Sequence, residues 1–284
     1  MDAQTGRQIA MSAIHVFKHH AMATHWEIRI ADEEQTYAAQ AAQAAFALTD
    51  DLESKLSRFQ ANSEISHIAQ LAPGETLQLT APVLACLQFA EKMEAATNGA
   101  FSITAAALQT QPEKPRWSLE QFSIRCDAGK LEFDLGAIGK GFALDRMAER
   151  LREWSVEKFL LIAGGSSILA GAAPAETPGW SCGLGDDHSP QRFFLSNCSL
   201  SGSGLVVKGK HIFDPRTGQS AQRQNRAWAL AETAAESDAL STACMVLADA
   251  EISKIVASEK SWLVFLEADG AEICFGGRPL PPRA

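Results

Sequence analysis

The run Ser237-Asp238-Ala239-Leu240-Ser241-Thr242 places a carboxylate and a hydroxyl four residues apart. On a helix that spacing puts both side chains on one face. Two hard oxygen donors suit magnesium, which fills the rest of its octahedron with water and substrate phosphate. The same pair also fits an acidic residue favoured by the helix dipole in a first turn, with the threonine packed inward.

A second chemistry-bearing segment, DLGAIGKGFALDRMAERL, runs from Asp134 to Leu151. Gly136, Gly139 and Gly141 let backbone approach a ligand closely, and Lys140 stands where a helix N-terminus should begin, a place that welcomes phosphate. The spacing matches neither the nucleoside-triphosphate loop, since Gly141 follows Lys140, nor the dinucleotide fingerprint, whose glycine order it reverses. A plain glycine turn packing a helix on a strand would look the same.

The third is His211-Ile212-Phe213-Asp214-Pro215-Arg216-Thr217-Gly218. Proline presets its own φ and glycine supplies whichever φ the reversal needs, so this reads as strand then turn. Histidine accepts a proton near neutral pH, which makes His211 a candidate general base for a hydroxyl nucleophile. A hydrogen-bonded bystander on a strand is the alternative.

These segments need a scaffold. Thr24 to Ala31 alternates in polarity as a half-buried strand does, and the alanine-rich run Glu33 to Leu56 and the run Leu79 to Ala96 have helical spacing. The polar, proline-bearing stretch from Gln109 to Phe122 reads as a surface connection. Short strands are expected at Phe122 to Arg125 and Leu131 to Leu135, a helix over Gly141 to Trp154, and a buried strand at Lys158 to Ala163. Further strands are expected at Arg192 to Leu195, Leu205 to Val207, His211 to Phe213, Trp262 to Leu266 and Ala271 to Phe275, with a helix over Ala235 to Ala248.

At 284 residues and 46% hydrophobic content the chain can bury a substantial core. Its formal net charge of −9 argues against a nucleic-acid binder, which needs a basic stripe to meet phosphates. The six cysteines are scattered without Cys-x-x-Cys spacing and read as reduced, packed thiols. No stretch is apolar for long enough to insert in a membrane, and the first residues show neither signal-peptide core nor lipid-accepting cysteine, so a cytoplasmic location is expected.

Together and in this order, the three segments resemble the ApbE-like FAD:protein FMN transferases. Met22-Ala23-Thr24, SRFQANSEIS from Ser57, NGAFSIT from Asn98, IAGGSSI from Ile162 and SGSG from Ser201 extend the likeness from about Met22 to Leu247. The resemblance implies transfer of the FMN half of FAD to a serine or threonine of an acceptor protein, with release of AMP. It implies Mg2+ held by Asp238, Thr242 and the Gly139 carbonyl, and His211 as base. It implies that FAD meets Met22, Phe59 and Phe142 as apolar walls, and Ala100, Phe101, Ser102, Gly136 and Ile212 as close contacts, with Lys140 offsetting phosphate charge.

Ser102 and Ser166 stand where that family usually has aspartate, Ala23 where glycine is usual, and Gly139 where alanine is frequent. A magnesium-dependent FAD pyrophosphatase, with water as acceptor, and a non-catalytic FAD-binding protein are the competing readings. The expected architecture is α+β and T-fold-related, with two intimately packed lobes, mainly antiparallel sheets, outer helices and FAD in the cleft. One domain over residues 22–276 is expected, between an N-terminal extension and a short tail, with a lobe connection near 109–121.

Overall fold

The computed structural model describes residues 13–111, 114–184, 191–204, 212–221, 226–268, 271–279 and 281–284. The chain opens with β1 (Ile14–Ala21) and β2 (Thr24–Ala31), then α1 (Gln35–Leu56), α2 (Glu64–Ile68), β3 (Thr76–Gln78) and α3 (Ala81–Ala96). It continues through β4 (Arg116–Glu120), β5 (Ser123–Ala128), α4 (Gly139–Glu153), β6 (Phe159–Ala163) and β7 (Ser167–Ala170). After β8 (Trp180–Leu184), β9 (Gln191–Leu195), β10 (Cys198–Gly204) and β11 (Arg226–Ala231) come α5 (Ala234–Cys244) and α6 (Asp249–Ser258). A closing hairpin follows, formed by β12 (Leu263–Ala268) and β13 (Ala271–Gly276).

The main sheet has eight strands in the order β1-β2-β6-β7-β10-β11-β12-β13, flanked by a three-stranded sheet β3-β5-β4 and the hairpin β8-β9. Every pairing among the described strands is antiparallel, so the mixed α/β architecture with mainly antiparallel sheets holds. β1 belongs to this sheet in full, paired with β2 from Ile14↔Ala31 to Ala21↔Thr24, although it lies in the stretch expected as an N-terminal extension.

Strand alternation divides the core between two faces. On one face Phe159, Leu161 and Ala163 of β6 and Ala227, Ala229 and Ala231 of β11 meet the helices. On the other, Leu160, Leu200, Leu230 and Phe265 pack with Trp180, Cys182, Phe193 and Leu195 of the β8-β9 hairpin. Each such fully buried Leu or Phe contributes about 1.5–3 kcal/mol before ordering entropy is charged against it. α1 forms because alanine-rich sequence brings no breakers, and Glu34 caps it by accepting from the Tyr37 N–H. It buries Ala38, Ala41, Ala42, Ala45, Phe46, Thr49, Leu52 and Leu56 along one stripe and stops where Ser57 turns extended.

Some expectations are corrected. Gln109 to Phe122 is not merely a connection, because Arg116–Glu120 pairs with β5. Leu131 to Leu135 is not a strand: Leu131, Phe133 and Leu135 do alternate into the core, but among the described residues no strand pairs with them. The helix expected over Ala235 to Ala248 ends at Cys244, and a separate α6 follows, entered through a bond from the Ala248 N–H to Glu251. The strand expected at Leu205 to Val207 lies outside the described residues.

Five of the six cysteines are buried and all six are free; burial pushes the Cys86 thiol up to about 12. Among the described residues no helix is long and apolar enough to cross a membrane.

Candidate active site

The site grows from the meeting of two helix N-termini. α4 begins at Gly139, so the N–H groups of its first turn have no partner inside the helix. The Gly141 N–H donates to Asp238 Oδ2 at 3.1 Å. α5 begins at Ala234, and its first two N–H groups, on Ala234 and Ala235, donate to the two oxygens of Asp145 at 2.7 and 2.9 Å. Each helix therefore lends a carboxylate to the positive end of the other.

Such closeness depends on glycine at the crossing. A Cβ on Gly141 would stand 2.2 Å from the Ala234 carbonyl oxygen, inside any permissible contact. On its opposite side α5 lies against small residues of the sheet, Ala227, Ala229 and Ala231 of β11 and Ser199, Ser201 and Ser203 of β10, all on the face that alternation turns toward it.

Asp238 is 2% exposed. Its carboxylate accepts from Lys140 Nζ at 3.3 and 3.2 Å, from the Gly141 N–H, and from Ser167 Oγ at 3.3 Å. A buried carboxylate without a counter-charge is costly, and here the ammonium supplies one. Around it stand hydroxyls. Thr242 Oγ1 donates to the Asp238 carbonyl at 3.2 Å and lies 3.0 Å from Ser203 Oγ, which is 2.9 Å from Ser241 Oγ, while Ser201 and Ser237 pair at 2.8 Å.

Among the described residues no group of three or more His, Cys, Asp or Glu could hold a metal. A divalent cation here would rest on one carboxylate with hydroxyl and carbonyl oxygens. That donor set suits magnesium, which keeps its own waters, better than a transition metal.

The other motif segments are tied to this centre and to one another. Asp134 accepts from the Gly136 N–H at 2.9 Å and from Arg58 Nη2 at 3.3 Å, and its own N–H donates to the Ile103 carbonyl at 2.7 Å. The glycine-lysine loop, the Ser57 loop and the Asn98 turn thus share one residue. In the Asp214-Pro215-Arg216 turn, the Arg216 guanidinium reaches both Asp214 oxygens at 2.9 and 2.8 Å and Glu251 of α6 at 2.7 Å. Its side chain also lies over Gly99. Burial works against an ionised Asp214, but the bonds from Arg216 outweigh it and hold the carboxyl below its usual range. Glu251 is held low by the Ala248 N–H and then by Arg216.

Met22 and Ala23 form the β1-β2 turn, both with positive φ, 50° and 54°. Beside them the Gly164 N–H donates to the His25 carbonyl at 2.7 Å, which carries the turn to the Gly164-Gly165 loop and so to Ser166 and Ser167. Ser166 Oγ lies 3.4 Å from Ser167 Oγ, and Ser102 Oγ lies 2.9 Å from Thr104 Oγ1.

Of the residues expected in the site, the structure ties Lys140 to the Asp238 carboxylate and Thr242 to the Asp238 main-chain carbonyl, while Gly139 precedes Lys140 at the start of α4. Ala100, Phe101, Ser102 and Gly136 adjoin them through Asp134 and Ile103. Phe101 and Phe142 are 2% and 3% exposed, packed in the core, whereas Phe59 is 85% exposed beneath the Arg58 guanidinium. Ile212 is buried just before the Asp214 turn, and His211 lies outside the described residues.

Sequence reasoning missed Asp145, Ser167 and Ser203. The alternation of Ser199, Ser201 and Ser203 could have flagged a polar strand face; Asp145 offers no local signal.

Comparisons with known proteins bear on the family and the fold. A protein named FAD:protein FMN transferase from Klebsiella pneumoniae (strain 342) is 23% identical over 214 residues, covering 62% of this chain and 66% of that protein. Another of that name from Treponema pallidum (strain Nichols) is 28% identical over 166 residues, covering 51% of this chain and 43% of that protein. The matched part thus spans less than two thirds of either relative. The solved structure described as the flavin transferase ApbE from Vibrio cholerae superimposes with a TM-score of 0.80 at 18% identity, covering 94% of this chain and 98% of that one, and so shares the fold. The profile of the ApbE family matches residues 22–265, and this chain belongs to the ApbE family.

Proposed function

We propose that this chain transfers the FMN moiety of FAD to a serine or threonine hydroxyl of an acceptor protein, in a magnesium-dependent reaction that releases AMP. Family membership and the names of the matched relatives support the reaction class. The observation that carries the reading is the buried Asp238 carboxylate facing the N-terminus of α4 with the Lys140 ammonium beside it, and the Thr242 hydroxyl one turn on, bonded to the Asp238 main-chain carbonyl.

Phosphoryl transfer asks a protein mainly for charge neutralisation and in-line positioning. Magnesium, held by Asp238, Thr242 and the Gly139 carbonyl, would neutralise pyrophosphate charge. Lys140 and the α4 N-terminus add positive potential on the same side. The acceptor hydroxyl oxygen attacks the FMN phosphorus; the bond from that phosphorus to the bridging oxygen breaks; AMP leaves with the bridging oxygen. The hydroxyl proton passes to His211, whose chain neighbour Ile212 is fixed by the Asp214 turn.

Met22, Phe59, Ser102 and Gly136 would contact the dinucleotide directly and the buried Ala100 and Ile212 through their main chain, while Phe101 and Phe142 would stiffen its walls from the core side. The two-residue β1-β2 turn, with positive φ at both Met22 and Ala23 as such hairpin turns require, fixes where Met22 stands.

The test is incubation of the purified chain with FAD, magnesium and a Ser/Thr-containing acceptor, with flavins separated chromatographically and the acceptor weighed by mass spectrometry. Acceptor carrying FMN, in step with the AMP released, is expected. Free FMN beside unmodified acceptor would make the chain a pyrophosphatase instead. If FAD neither bound nor raised the melting temperature, every flavin reading would be withdrawn.

A further inference from the structure

We infer that Asp145 is a positioning residue that sets the distance between the glycine-lysine turn of α4 and the Asp238–Thr242 face of α5. The inference deepens the proposed function and rests on it for the identity of the pocket.

The N-terminus of α5 can be accounted for group by group. Four N–H groups at a helix start lack intrahelical partners. Here those of Ala234 and Ala235 go to Asp145 Oδ1 and Oδ2 and that of Glu236 to the Thr233 hydroxyl at 3.2 Å, after which Ser237 makes the first helical bond, to the Thr233 carbonyl at 3.2 Å. Ala234 and Ala235 are 0% and 1% exposed, so water cannot take over the two donors that Asp145 satisfies. Two of these three capping bonds of α5 therefore come from another helix, 89 and 90 residues earlier in the chain.

Position along each helix turns this cap into a spacer. Asp145 lies four residues after Gly141, and Asp238 four residues after Ala234, so each pair shares a helix face. The two carboxylates then form reciprocal bonds across one contact, Asp145 to Ala234 and Ala235, and Asp238 to Gly141. With Gly141 already against the Ala234 carbonyl, the helices can neither approach nor slide. The groups that this fixes are Gly139, Lys140, Asp238 and Thr242. Loss of water around Asp145 pushes its carboxyl up to about 7, against the pull of the two N–H donors, so measurements belong at pH 8, where the carboxylate form prevails.

The experiment compares wild type with Asp145→Asn and, should that variant fold poorly, Asp145→Ser. A control, Ile124→Val, lowers stability at a fully buried position of β5, where Ile124 pairs with Leu77 and Leu119 of the three-stranded sheet. Mn2+ affinity is read from the free-ion EPR signal, without substrate, alongside kcat and KM for FAD at several magnesium concentrations. Circular dichroism establishes folding.

Folded Asp145 variants are expected to bind Mn2+ at least about tenfold more weakly, the usual consequence of removing a group that orients metal ligands, and to recover kcat at high magnesium. Ile124→Val should keep wild-type Mn2+ affinity. If the Asp145 variants melted lower but bound Mn2+ within twofold of wild type, Asp145 would be a stability residue only and the inference would fall. If wild type itself bound no Mn2+, the magnesium reading would fall first, and this inference with it.

Discussion

A side chain on Gly141 and the backbone carbonyl of Ala234 cannot coexist, since a Cβ there would lie 2.2 Å from that oxygen and 2.7 Å from the Ala235 Cα. Both obstacles are backbone, so no rotamer change relieves them. Gly141→Ala must therefore push α4 and α5 apart, at a cost of about 1–3 kcal/mol as for other overpacked contacts. The expected result is a lower urea midpoint at unchanged m-value, together with weaker Mn2+ binding. A variant as stable as wild type would show that the helices have slack.

Lys140 provides the charge that Asp238 faces inside the protein. Their side chains are 22% and 3% exposed. Breaking a buried pair by removing one partner costs several kcal/mol; with the ammonium end partly solvated, Lys140→Gln should cost about 1–3 kcal/mol. Magnesium would replace the missing charge. The melting-temperature gap between variant and wild type, measured in chelator, should narrow when millimolar magnesium is added. An unchanged gap would argue that no cation binds at Asp238.

Asp238→Asn and Thr242→Val keep the shapes of their side chains but remove a charge and a hydroxyl. Both should slow AMP release from FAD, the first by at least about a hundredfold and the second chiefly by raising the magnesium requirement about tenfold or more. Thr242→Ser should behave like wild type. A Val variant with an unaltered magnesium requirement would remove Thr242 from the ligand set.

Ala23 adopts φ 54° in a two-residue turn. An L-residue there costs about 1–2 kcal/mol, while glycine gives back about 0.4–1 through unfolded-state entropy. Ala23→Gly should therefore stabilise the protein by about 0.5–1 kcal/mol, seen as a rise in melting temperature. A fall would mean that the methyl group is itself needed.

Arg216 holds Asp214 below its usual carboxylate range against the effect of burial, and Glu251 is held low by the Ala248 N–H and then by Arg216. A carboxyl whose folded pKa is depressed contributes stability above its unfolded pKa and loses it as pH falls through the folded value. The contribution should thus be complete above about pH 5 and fade below about pH 4. Arg216→Met should be less stable than wild type at pH 6, and the difference should shrink steadily toward pH 3 in urea titrations. A difference that stayed constant would assign the effect to packing over Gly99.

Much of this was legible in the chain itself. The helical spacing of α1 and α3, the apolar run of β6 and the β12-β13 hairpin all appear as the residues suggest, because in each the local pattern and the tertiary surroundings agree. β10 was hidden, since Ser199 to Gly204 has the composition of a loop and becomes a strand only because α5 needs small residues beneath it. Leu131 to Leu135 misled in the opposite sense, with a strand's alternation and no pairing strand among the described residues. In the site, Asp238 and Thr242 announced themselves by helical spacing, whereas Asp145 and Ser167 matter through partners 89 and 71 residues away.

The pairing of β2 with β6 joins Trp26 to Ala163, and everything from α1 through α4 is a single excursion that must return before the main sheet can zip. Contacts so distant along the chain form slowly, because loop closure is charged before they give any return. Asp238 takes its partners from α4 inside that excursion and from β7 beyond it. Its charge is therefore neutralised late in folding, and a chain stalled before that point exposes an acidic, unpaired α5.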